Sequence, residues 1–120
     1  MLTAKINGKE YPLRLGMMAV SAINKEYNSL SELMNVIQGE DTYASDKALF
    51  FLAYHMAVNG LAMTEKEIDI KSPSVMWALC RPQEHIPLFA IICDAIKEAT
   101  DVTVEAEDAD PKNAVTTQDK

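Results

Sequence analysis

The chain has 120 residues, 48% of them apolar, and a net charge of -7. That length holds one hydrophobic core, not two. Its cations are scattered (Lys5, Lys9, Arg14, Lys25, Lys47) and give no basic face, which excludes nonspecific binding to nucleic-acid backbones or anionic membranes.

Residues 2–15 read as a β-hairpin. Leu2, Ala4 and Ile6 alternate with polar residues, Asn7-Gly8 supplies a two-residue turn, and Tyr11, Leu13 and Leu15 resume the alternation. Pro12 cannot donate to a ladder, so it marks an edge position or one whose N–H faces outward. A lone hairpin is marginal in water, so its apolar face must rest on the helices that follow.

Helical spacing begins after Gly16, with Met17, Val20, Ile23 and Tyr27 three to four apart. Asn28-Ser29 interrupts it. Ser29 is the expected N-cap, with Glu32 as its capping-box partner. Leu30, Leu33, Met34 and Ile37 then repeat until Gly39 stops the helix. These are two short helices, or one with a bend. From about residue 42 to 59 the pattern loses its polar face: Ala48, Leu49, Phe50, Phe51, Leu52, Ala53, Tyr54, Met56, Ala57 and Val58 are all apolar or aromatic. A helix of that kind is buried on most sides or lies between chains. Asn59-Gly60 is expected to end it.

Residues 64–71 carry two signals at once, a capping-box spacing from Thr64 and a strand-like alternation through Ile68 and Ile70. Ser72-Pro73 starts another helix, a capping serine followed by proline at the first helical position. Pro82 breaks that run, and a last helix is expected over roughly residues 83–99, with Ile86, Phe89 (with Leu88), Ile92 (with Ile91) and Ile96 as its stripe and Pro87 in its first turn. Residues 101–120 hold six acids against Lys112 and Lys120 and no large apolar anchor, so they read as a flexible acidic tail. The expected fold class is α+β, mostly α. One globular domain over residues 1–100 has its hairpin packed on four to five helices over residues 16–100.

The longest apolar runs, such as residues 48–53, are too short to span a bilayer. The opening Met-Leu-Thr-Ala-Lys lacks the charged, apolar and small-residue segments of a secretion signal. The expected location is the cytoplasm of the cell that makes the chain.

Groups able to do chemistry are sparse. Cys80, His85 and Cys93 have no close ligand pair, so no metal site is expected. Cys80 sits near a helix C-terminus, the wrong end to stabilise a thiolate, and Cys93 lies among Ile91, Ile92 and Ala95. Both read as small buried hydrophobes. Gly8, Gly16, Gly39 and Gly60 each stand alone, so no phosphate-binding loop forms. His55 beside Tyr54 is a core or rim histidine, with a pH-sensitive contact as the alternative. The reading is therefore of a non-enzymatic chain without a cofactor.

The methionines either fill gaps in an imperfect core or form an adaptable surface for apolar partners. Adjacent helical residues point about a hundred degrees apart, so one face is unsuited to burying both members of Met17-Met18 or of Met76-Trp77. Trp77 exposed beside a methionine would anchor a partner helix.

The opening Lys5-Ile6-Asn7-Gly8-Lys9-Glu10-Tyr11-Pro12-Leu13-Arg14-Leu15-Gly16-Met17 resembles the start of tail assembly chaperones and related small tail-assembly proteins of long-tailed phages and gene transfer agents. The layout is similar over roughly residues 2–100: a hairpin running into a first helix, a helical body and a polar tail. The resemblance implies a protein that works in the host bacterial cytoplasm. There it binds the helical, aggregation-prone tape measure protein during tail-tube polymerisation, carries no catalytic residue, and often has a longer frameshifted product. The residues expected to form the partner surface, or a self-association surface, are Phe50, Phe51, Tyr54, Met56, Met76 and Trp77. The rival expectations are a homo-oligomeric structural tail or connector component, a thiol enzyme using Cys80, Cys93 or His85, and a small adaptor or inhibitor of a host protein.

Overall fold

The computed structural model describes residues 1–108, with side-chain surroundings through residue 100. Strands β1 (Thr3–Ile6) and β2 (Lys9–Pro12) form the hairpin, followed by helices α1 (Met17–Tyr27), α2 (Leu30–Ile37), α3 (Thr42–Ala62) and α4 (Pro73–Leu79). A 3-10 turn at Pro82–Glu84 leads into α5 (His85–Asp108). This is the mostly helical fold with an N-terminal hairpin that the pattern predicts. The helix α5 continues beyond residue 99, and residues 109–120, the greater part of the expected acidic tail, lie outside the described residues.

At the hairpin turn Asn7 has φ 54° and Gly8 φ 82°, as a type I′ turn requires. The register pairs Ala4 with Tyr11, Lys5 with Glu10 and Thr3 with Pro12. Leu13 N donates to Leu2 O at 2.9 Å, which makes 2/13, 4/11 and 6/9 the hydrogen-bonded pairs. Pro12 therefore falls at a position that contributes no N–H to the ladder, and its missing donor costs nothing. Ala4, Ile6, Tyr11 and Leu13 are all buried, so the hairpin lays one face on the helices.

Helix α3 is the central post. It packs against α1, α2, α4 and β2, and Ala48, Leu49, Phe50, Leu52, Ala53, Met56, Ala57 and Gly60 are buried along it. Burial of each large side chain contributes about 1.5–3 kcal/mol. The absence of a polar face is thus explained inside one chain.

Asn59-Gly60 does not end this helix. A Cβ on Gly60 would lie 2.1 Å from the Pro12 carbonyl oxygen, so the glycine lets β2 pass directly over α3. Asn59 has a different task. Gly16 brings no side chain to the N-terminus of α1, and Asn59 Oδ1 accepts from Ala19 N at 2.9 Å in its place. The helix starts Ser29, Asp41 and Ser72 each cap their own helix through the side chain.

Two stripes hold at their centre, where Ile23 and Ile92 are buried as expected, and lose their first member. On α1 the buried residues are Ala19 and Ile23, and Met17 points outward. On α5 the inward face is Leu88, Ile92 and Ala95, and Ile86 is 79% exposed. In both cases the first apolar residue of the helix falls outside the contact.

Residues 64–71 are neither strand nor helix. Ile70 is buried, and Asp69 accepts from Tyr11 Oη at 2.8 Å and pairs with Lys9. The segment lies beside β2 through side chains without joining its ladder. The hydrogen bonds from Lys9 and Tyr11 hold the Asp69 carboxyl below its ordinary range. Burial and that same Asp69 contact push the Tyr11 phenol up to about 12.

Candidate functional site

Helices α1, α3 and α4 converge on an open aromatic cleft. On α3, Phe51 meets Tyr27 of α1 edge-on at 5.4 Å between ring centroids and His55 at 4.6 Å. On α4, Trp77 stacks against Phe50 at 6.2 Å and leans on Tyr43 at 5.1 Å. Between the two groups lies a space of about 170 Å³ lined by Tyr27, Phe51, Trp77 and Pro73, with exposed Glu26 and Lys47 also on its wall. Phe51, Trp77 and Tyr27 are each half-buried, so they are fixed by the core yet open to solvent. A notch of this size has room for one large apolar side chain.

Of the six residues expected to form the partner surface, Phe51 and Trp77 line the cleft together. Tyr54 lies near it, half-buried one turn on from Phe50, with its ring 5.4 Å from His55 and its hydroxyl donating to Lys71 O at 3.3 Å. The other three are corrected. Phe50, Met56 and Met76 are 3%, 0% and 1% exposed and belong to the core. Helix α4 lies along α3, so Met76 points inward and Trp77, a hundred degrees round, stays at the rim. The two separate; they are not exposed together.

The exposed methionines lie elsewhere. Met17 and Met18, 75% and 62% exposed, stand on the first turn of α1. The contact of Asn59 with Gly16 and Ala19 brings this turn to the end of α3, where Met63 is exposed with its sulfur 2.7 Å from Arg14 Nη1. These three methionines are at the surface, whereas Met56 and Met76 fill the core.

Sequence reasoning missed Glu84. It is buried, and its carboxylate accepts from Asn7 N at 2.7 Å, Gly8 N at 2.8 Å and Arg81 N at 2.9 Å. Burial alone would raise its pKa, but the three N–H donors and the Arg81 charge outweigh it and hold the carboxyl below its ordinary value. The paired N–H groups of a type I′ turn form an anion-binding concavity. A glutamate three residues beyond Arg81, at capping-box spacing, was the available signal.

The remaining reactive groups are Cys80, Cys93, His85 and His55. Both cysteines are free and half-buried, less enclosed than expected. Burial, with Glu84 and Asp46 nearby, pushes the Cys80 thiol up to about 11, so it stays protonated at neutral pH. His85 Nε2 lies 3.2 Å from Asp46 Oδ1, a tie between α5 and α3. Burial lowers the pKa of His55. Among the described residues no group of three His, Cys, Asp or Glu side chains is placed to hold a metal ion, and no helix is long and apolar enough to cross a membrane.

Comparison with protein-family models, curated proteins and solved structures gives no match for this chain.

Proposed function

We propose that this chain is a non-enzymatic tail assembly chaperone that holds an apolar stripe of the helical tape measure protein, with the Tyr27–Phe51–Trp77 cleft taking one side chain of that helix. The observation that supports the reading is the convergence of three half-buried aromatics from three helices on a notch of about 170 Å³. Such a notch buries a partner's side chain at little ordering cost, because its walls are already held. The exposed methionines at the α1 start supply a second, adaptable apolar contact. The likeness of residues 5–17 to tail assembly chaperones supplies the partner.

Mixing the chain with a helical tape measure fragment and measuring mass by light scattering tests this. A defined soluble complex is expected, lost in Phe51→Ser with helical signal intact. A stable ring of the chain alone that ignores the fragment contradicts it and points to a structural tail component.

A further inference from the structure

The aromatic cleft does not end at Tyr27. Beside that residue, where α1 turns into α2, lies an open shelf of about 440 Å³ lined by Glu26, Tyr27, Asn28, Glu32, Asn35 and Val36. Glu26 and Tyr27 belong to both walls, so cleft and shelf form one continuous surface. Their charges differ. In the cleft Glu26 is set against Lys47, whereas on the shelf Glu26 and Glu32 share the wall with no cation, Lys25 and Lys47 lying outside it. Neither carboxylate forms an ion pair among the described residues. Glu32 Oε1 accepts from Asn28 Nδ2 at 3.4 Å, a long contact with a neutral group. Glu26 stands in the last turn of α1, where the free carbonyls of the helix end already carry partial negative charge. Burial raises the pKa of the Tyr27 phenol and the Glu26 charge adds to it, so the shelf's field reaches the edge of the cleft.

We infer that the helix held by the cleft carries an arginine one turn from its anchoring side chain, and that this arginine lies on the shelf between Glu26 and Glu32. The inference rests on the reading of the cleft as a helix-docking site and adds the partner's charge to it. Residues three and four apart share a helix face, about 5.4 Å along the axis. With one apolar side chain in the notch, the next residue on that face therefore reaches the adjoining shelf. A carboxylate there would meet two like charges and a helix C-terminus. A guanidinium presents five donors in a planar fork, which two carboxylates and the amide oxygens of Asn28 and Asn35 can accept together; an ammonium has only three. Both glutamates are exposed, so the pairing adds modest affinity and mainly selects which helix docks.

The test is a fluorescence titration of the full chain, read at Trp77, with blocked alanine-based helical peptides. Each peptide carries one phenylalanine as anchor and either arginine or glutamine one turn before or one turn after it. All shift the Trp77 emission, and the better arginine placement binds about fivefold tighter than its glutamine control. That preference fades in about 1 M salt and is lost in a variant carrying both Glu26→Gln and Glu32→Gln. If the double variant unfolds, the arginine and glutamine peptides at low and high salt on the native chain still decide. Equal binding of all the peptides overturns the inference and leaves the cleft standing. A preference for arginine that survives in the folded double variant overturns it too, because the arginine is then read elsewhere. Peptides that leave Trp77 emission unchanged overturn the cleft reading and this inference together.

Discussion

Phe50 and Phe51 are neighbours on one helix and live in different environments. Phe50 is sealed under Trp77 inside the core, whereas Phe51 stands at the rim between Tyr27 and His55. Met76 and Trp77 repeat the contrast on α4. The inner member of each pair holds the scaffold and the outer member faces the solvent-filled notch. The half-buried Trp77 is thus held by the buried Phe50 beneath it, and Phe51 by Tyr27 and His55 on either side.

The sharpest way to break this division is from the inside. Met56→Ala removes a fully buried side chain where α3 meets the rest of the core, and is expected to cost about 3 kcal/mol in a urea titration. Glu84→Gln comes next. An amide turns an NH₂ group toward N–H donors of the Asn7-Gly8 turn, with a loss of about 2 kcal/mol at neutral pH. Because the native carboxyl titrates below its ordinary value, its stabilisation is complete above about pH 4.3 and is lost as the pH falls through the lower folded value. The Gln variant should show a flatter acid limb.

Asn59→Ala removes the remote cap of α1 and is expected to cost about 1 kcal/mol. At the rim, Phe51→Ser should cost about 1 kcal/mol by the same assay, and its larger effect should be on partner binding. A Phe51 variant as damaging to the fold as Met56→Ala would erase the distinction between inner and outer residues. The smallest effect is at His55. Burial lowers its pKa, so its contribution is present in full above about pH 6.5 and declines as the pH falls through the lower folded value. His55→Phe should remove that slope while keeping the ring against Phe51.

The hairpin was legible because its signals are local. Asn-Gly dictates the turn, and period-two alternation dictates the face. The caps at Ser29 and Ser72 were legible for the same reason. The faces of α3 were not, because a helix apolar on all sides has no periodic signal to choose between Phe50 and Phe51; four neighbours decide it. Gly60 looked like a helix stop because glycine commonly is one, and its use for close approach to Pro12 depends on a strand some fifty positions away. Glu84 escaped for a like reason, since its partners Asn7 and Gly8 lie at the other end of the chain. The candidate site was half legible. Phe51 and Trp77 stand out as aromatics in apolar helices, but Tyr27 reads as part of a core stripe, and nothing local links α1 to α4.

Trp77 is the only tryptophan in the chain and lies on the wall of the cleft. Its emission on addition of a helical tape measure fragment therefore reports directly on the proposed docking site. A blue shift that saturates with complex formation, and that disappears in Phe51→Ser, is the expected result. A complex that forms by mass while Trp77 emission stays unchanged would place the partner elsewhere and contradict the assignment of the cleft.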